Sequence, residues 1–87
     1  MGSYQIEVLR SVDHDARKID KKNLERIVST IRSLTDDPFP TQCKKLSGSE
    51  KSYRIRVGDY RILYEVDRQQ KVITVFHIRH RKEVYRR

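Results

Sequence analysis

Tyr53-Arg54-Ile55-Arg56-Val57-Gly58-Asp59-Tyr60-Arg61-Ile62-Leu63-Tyr64 reads as two alternating runs joined at Gly58-Asp59. A glycine opening a two-residue loop between such runs predicts a β-hairpin. With that loop, Val57 faces Tyr60, Arg56 faces Arg61, Ile55 faces Ile62 and Arg54 faces Leu63. Side chains alternate across a strand with period two. Arg54, Arg56 and Arg61 therefore share one face, and Tyr53, Ile55, Val57, Tyr60, Ile62 and Tyr64 share the other. Like charges opposite one another across a hairpin are destabilising. Three guanidinium groups gathered on one face point to a polyanion as their ligand.

Charge along the chain agrees with this. Residues 1–43 carry seven Lys/Arg and seven Asp/Glu, whereas residues 44–87 carry thirteen and five, so the net charge of +8 sits in the second half. A basic half on a neutral scaffold is an electrostatic footprint for nucleic acid, or less often for an acidic membrane or protein. The 87 residues suit one domain with a modest core. No apolar run has the length of a membrane span and no secretory signal pattern is present, so a cytoplasmic protein is expected. The lone Cys43 cannot form an intramolecular disulfide, which suits a reducing compartment. It reads as a small residue in a loop.

Working outward from the hairpin, Tyr4, Ile6 and Val8 alternate with Gln5 and Glu7 and predict a half-buried strand. Ser11 is expected to cap a short helix carrying Val12, Ala16 and Ile19. Asp20 is expected to cap a longer one, with Leu24, Ile27, Val28, Ile31 and Leu34 at helical spacing. Asp36-Asp37-Pro38-Phe39-Pro40 ends that helix, and Thr41 to Lys51 form a connection. After the hairpin, Asp67 to Gln70 make a turn. Lys71-Val72-Ile73-Thr74-Val75-Phe76-His77-Ile78 then predicts a strand inside the sheet. The expected fold class is α+β: an N-terminal strand and a helix pair packed on a mostly antiparallel sheet.

For chemistry, the hairpin offers Arg54, Arg56 and Arg61, and the end of the last strand adds Arg79 and Arg81. Arginine presents a planar fork that matches phosphate and stays charged. Such groups can stabilise the charge of a pentacoordinate phosphorus. Tyr85 or Tyr53 could stack on a base. For proton transfer, His80 is the first candidate because imidazole titrates near neutrality. Tyr85 is the alternative, its phenol crowded by guanidinium groups. His14 and His77 read as structural. Neither Cys nor His has metal-ligand spacing, and the carboxylates of the basic half are scattered, so no metal or other cofactor is expected.

These residues resemble a known family. The segments KKLSG, YRIRVGDYRILYEV, VITVFHI and HRKEVY, in that order between Lys44 and Tyr85, are similar to the RelE/ParE superfamily of toxin–antitoxin toxins, in its RelE branch. The resemblance covers nearly the whole chain and implies one RelE-like toxin domain, residues 1–87. It also implies a ribosome-dependent mRNA endonuclease of a type II toxin–antitoxin system. In that reaction the 2′-hydroxyl attacks the adjacent phosphate, leaving a 2′,3′-cyclic phosphate and a 5′-hydroxyl. Its implied partners are a cognate acidic antitoxin and the ribosome with mRNA in the decoding site. The family's functional positions fall on Arg54, Arg56, Arg61, Arg79, His80 and Tyr85, with Lys44, Lys45, Arg81 and Lys82 as RNA-binding residues around them. This chain carries Arg54 and Arg56 where the RelE pattern has lysines, and arginine resists deprotonation. The acid/base role would then move to His80, which is favoured, or to Tyr85. The ParE branch, which targets DNA gyrase on the same fold, and a non-catalytic RNA-binding module are the competing readings.

Overall fold

The computed structural model describes residues 3–82. The chain runs β1 (Gln5–Val8), α1 (Arg10–Ala16), α2 (Lys21–Ser33), β2 (Cys43–Lys45), β3 (Ser52–Val57), β4 (Tyr60–Asp67) and β5 (Val72–His80). All five strands form one sheet in the order β1-β5-β4-β3-β2. Only β1 and β5 run parallel; the other neighbours are antiparallel. The expected α+β class is what the chain adopts. One strand was missed: Cys43–Lys45 pairs with β3 instead of lying in a loop. Three residues, two of them charged, are too few to show a periodicity. Cys43 consequently sits half-buried against the core.

The hairpin register is as the alternation requires, with Arg56 opposite Arg61 and Ile55 opposite Ile62. Gly58 holds φ +59°, a conformation that costs other residues about 1–2 kcal/mol. Val12, Ile27 and Leu34 of the helical layer meet Ile55, Val57, Ile62, Tyr64, Val66, Ile73, Val75 and Ile78 of the sheet in one buried cluster. Helices thus cover one face. Among the described residues, the other face carries Arg54, Arg56, Leu63, Glu65 and Thr74, none of them buried.

Asp20 caps α2 as expected, accepting hydrogen bonds from the Asn23 backbone N–H at 3.3 Å and from Asn23 Nδ2 at 2.7 Å. Those bonds, the side-chain one foremost, hold its carboxyl below the usual carboxylate range. Ser11 behaves differently. Helix α1 begins two residues earlier, with Leu9 at the cap position and no side-chain cap. The Ser11 hydroxyl instead donates to the Phe76 carbonyl of β5. The reason lies at the sheet edge. Strand β1 pairs with β5 only as far as Val75, where the Leu9 N–H meets the Val75 carbonyl at 3.0 Å. Beyond that point α1 serves the β5 edge in its place. Ser11 takes the Phe76 carbonyl, and the Asp15 carboxylate accepts from the Ile78 N–H at 3.0 Å. A buried strand edge left without partners would be costly, so these two side chains extend the sheet without a strand.

Tyr64 is fully buried, and its hydroxyl donates to the Pro38 carbonyl at 2.8 Å. Burial pushes its phenol well above the usual tyrosine range. It stacks on Tyr53, which meets Phe39 edge to face, so hydrogen bonds to the Pro38 and Pro40 carbonyls and an aromatic ladder tie the loop after α2 to the sheet. Tyr64→Phe keeps the ring and leaves the Pro38 carbonyl unpaired. It is expected to lower the unfolding free energy by about 1–2 kcal/mol in urea titration.

Candidate functional site

The open face of the sheet gathers the cations in rows set by strand pairing. Arg56, Arg61 and Arg79 lie opposite one another across β3, β4 and β5. The next row holds Lys44, Arg54, Leu63 and His77 across β2 to β5. Gln42, Lys44, Arg54, Arg56 and Arg61 line a cleft of about 330 Å³. A larger depression, about 620 Å³, runs along α1 and is lined by Arg10, Ser11, Asp13, His14 and Arg17. It is the surface of a single helix and lacks the convergent groups of the strand cleft.

Arg79 joins its row through an irregularity in β5. Leu63 pairs with His77, but the next residue, Tyr64, pairs with Val75, so Phe76 is passed over. Uninterrupted alternation would place Arg79 on the face of Ile73 and Val75, inside the core. The extra residue reverses the parity. Ile78 then falls opposite Ile62 in the core, and Arg79 falls opposite Arg61 on the open face. Such bulges re-aim side chains at the ends of strands.

The same reversal carries His80 away from the arginines. It pairs with Tyr60, whose ring it meets edge to face at 5.0 Å. With Asp15, Lys18, Ile19, Tyr60 and Ile78 it lines a separate pocket of about 230 Å³ on the helical side. Its Nδ1 accepts the Lys82 N–H at 3.1 Å. Register thus places His80, the first candidate for proton transfer in the sequence, on the face opposite the arginine row. His77, read from sequence as structural, stands on the arginine face instead.

The surrounding basic residues divide similarly. Lys44 enters the cleft, whereas Lys45 pairs with Tyr53 and so belongs to the other face. The Arg81 N–H donates to the Asp59 carbonyl at 2.7 Å and its guanidinium lies 3.9 Å from the Asp59 carboxylate, fastening the end of β5 to the hairpin turn. Lys82 is exposed just beyond β5. Tyr85 lies outside the described residues. Arg56 is steadied by its Nε, which donates to the Gly58 carbonyl at 2.9 Å. Sequence reasoning did not single out Gln42 or His77. The first adjoins the unrecognised strand β2, and the second needed the bulge to be seen.

Beneath the Arg56–Arg61–Arg79 row, Ile55, Ile62 and Ile78 form a buried row in the same pairing. Each such isoleucine contributes about 1.5–3 kcal/mol, against roughly 0.2–1 kcal/mol for a cross-strand pair. Core burial thus outweighs the repulsion above it and holds the cations in register.

With the fold and site defined, similarities to known proteins become informative. The family model described as ParE toxin of type II toxin–antitoxin system, parDE, matches residues 6–85. RelE1 of Methanocaldococcus jannaschii is 28% identical over 86 residues, covering 95% of this chain and 96% of that one. Among solved structures, the archaeal RelE–RelB complex from Pyrococcus horikoshii OT3 aligns with TM-score 0.82 and 27% identity, over 91% of this chain and 96% of that chain. The toxin–antitoxin complex RelBE2 from Mycobacterium tuberculosis aligns with TM-score 0.79 and 23% identity, over 91% and 99%, a likeness of fold.

Proposed function

This chain belongs to the ParE toxin family of type II toxin–antitoxin systems, and on that premise we propose that it is a ribosome-dependent mRNA endonuclease. The observation that carries the reading is the in-register row Arg56–Arg61–Arg79 on the face that no described helix covers. A protein that only needed a binding surface for another protein would gain little from stacking guanidinium groups at a stability cost. A scissile phosphate offers those groups their counter-charge.

In the proposed reaction the ribose 2′-hydroxyl attacks the adjacent phosphorus and the 5′-oxygen departs, leaving a 2′,3′-cyclic phosphate and a 5′-hydroxyl. The nucleophile belongs to the substrate, so the protein's tasks are to bend the strand, hold the phosphate and move protons. Arg61, at the centre of the row, and Arg79 beside it would bind the non-bridging oxygens. Their charge favours the pentacoordinate transition state over the singly charged diester. Arg54, Arg56 and Lys44 would hold flanking phosphates, with Lys45, Arg81 and Lys82 adding to the surrounding positive potential. Tyr85 would stack on a base near the cleavage point. We assign the site to the cytoplasm, where ribosomes engage mRNA.

An acidic antitoxin is the proposed protein partner. The similar Methanococcus jannaschii chain, 27% identical, was solved in a RelB–RelE antitoxin–toxin complex, and the net charge of +8 here calls for a partner of opposite sign. Affinity for that partner should fall as ionic strength rises, because complementary charge is screened. Calorimetric titration at two salt concentrations would measure this.

Arg61→Ala is expected to lower the cleavage rate ~10²-fold or more, the scale of losing one preorganised donor to a transition-state charge. Mapping mRNA 5′ ends after induced expression, followed by cleavage assays on programmed ribosomes, tests both parts. A folded Arg61→Ala protein that cleaves like the parent would remove the arginine row from the active site. Inhibition of gyrase supercoiling without mRNA cleavage would establish the gyrase-directed reading instead.

A further inference from the structure

The cationic face holds its phosphate ligands in arginine, a poor proton acceptor, and His80 stands on the other face. Yet one imidazole does belong to this face. His77 pairs with Leu63 in the row next to Arg61 and Arg79. It is two residues from Arg79 along β5, and it is the diagonal cross-strand neighbour of Arg61, a relation that places side chains roughly 7–8 Å apart. A phosphate bound by Arg61 and Arg79 would therefore lie beside the His77 ring.

The ring is also oriented. His77 Nδ1 lies 3.2 Å from Asp15 Oδ2, and the same oxygen accepts the Ile78 N–H at 3.0 Å. A carboxylate oxygen that is ionised only accepts, so Nδ1 carries the hydrogen. In the neutral ring the lone pair then belongs to Nε2. Among the described residues Nε2 has no hydrogen-bond partner, and about a third of the side chain is open to solvent (32%, against 16% for Asp15). Phe76, the residue passed over at the bulge, meets the ring edge to face at 5.9 Å. An acid that fixes one ring nitrogen while the other is left without a protein partner is the arrangement by which a histidine is held as a general base.

Resting on the nuclease reading above, we infer that His77 is a catalytic residue, the proton acceptor for the attacking 2′-hydroxyl, and that Asp15 is its positioning residue. As the 2′-oxygen forms its bond to phosphorus, its proton passes to Nε2. The bond from phosphorus to the 5′-oxygen breaks, and that oxygen takes a proton from water. His77 returns its own proton to solvent, so charge and protons balance over the cycle. Arg61 and Arg79 hold the phosphate and take no part in the proton transfer. Asp15, bound at once to the β5 backbone and the ring, sets the tautomer.

The test is single-turnover cleavage of ribosome-bound mRNA by the full chain. His77→Asn keeps a donor where Nδ1 stood, and so keeps the Asp15 contact, but removes Nε2. It should slow cleavage ~10²-fold or more with ribosome affinity and thermal midpoint near those of the parent. His77→Ala should be slowed similarly and partly restored by added imidazole, which a structural role would not produce. Asp15→Asn should lower the rate about tenfold without weakening ribosome binding. If His77→Asn does not fold, His77→Gln, which can also donate to Asp15, takes its place. A folded, ribosome-bound His77 variant that cleaves within about twofold of the parent overturns the inference, as does a slow His77→Ala that imidazole leaves unchanged. A parent that cleaves no mRNA at all, with Arg61→Ala no different, fails the nuclease reading itself. That result is distinct from a parent whose activity needs Arg61 but not His77.

Discussion

The pairing of β5 with β4 depends on one residue. Tyr64 sits opposite Val75 and Leu63 opposite His77, so Phe76 is extra. Everything C-terminal to it changes face as a result. Ile78 completes the buried isoleucine row, Arg79 completes the guanidinium row, and His80 turns toward Tyr60. Without that irregularity the strand would have to bury an arginine among Ile73 and Val75, and an unpaired buried charge costs far more than a strained ladder. The bulge is therefore required both for a satisfied core and for the cationic face.

Helix α1 follows from the same place. Where β1 stops pairing at Val75, the β5 edge would present unpaired backbone groups, and Ser11 and Asp15 meet them. Their side chains cost α1 a conventional N-cap but anchor it along the strand through Phe76 and Ile78. One carboxylate then reaches both backbone and imidazole, so a sheet-closing contact also sets the angle of His77. Both contacts converge on Asp15 because the end of α1 meets the β5 edge there.

Repulsion among Arg56, Arg61 and Arg79 is tolerated because it is small beside the burial directly beneath it. The arrangement resembles a spring held closed by its mounting. The rigid hairpin, with Gly58 in its turn and the Arg81–Asp59 contact at its end, keeps the guanidinium groups from relaxing apart. A polyanion would then meet a preformed field with little left to reorganise, which is how fixed charges are most effective on a developing one.

Much of this was legible in the amino-acid sequence. Alternation around Gly58-Asp59 determined the hairpin register and placed Arg54, Arg56 and Arg61 on one face. Asp20 announced the start of α2, and helical spacing found Ile27 and Leu34 for the core. These signals are local: period and turn chemistry act over a few residues. Strand β2 escaped because three residues carry no period, and it exists only because β3 offers it an edge. Ser11 was misassigned because its choice between its own helix and the Phe76 carbonyl depends on where β1 ends. The faces that His77 and His80 occupy were not legible for the same kind of reason. A bulge leaves no mark in an apolar run such as Val72 to Ile78; it arises from fitting β5 to β4 on one side and to β1 and α1 on the other. Sequence alone determined which residues carry charge and how each element alternates, and the tertiary pairing decided which of two histidines stands among the arginines.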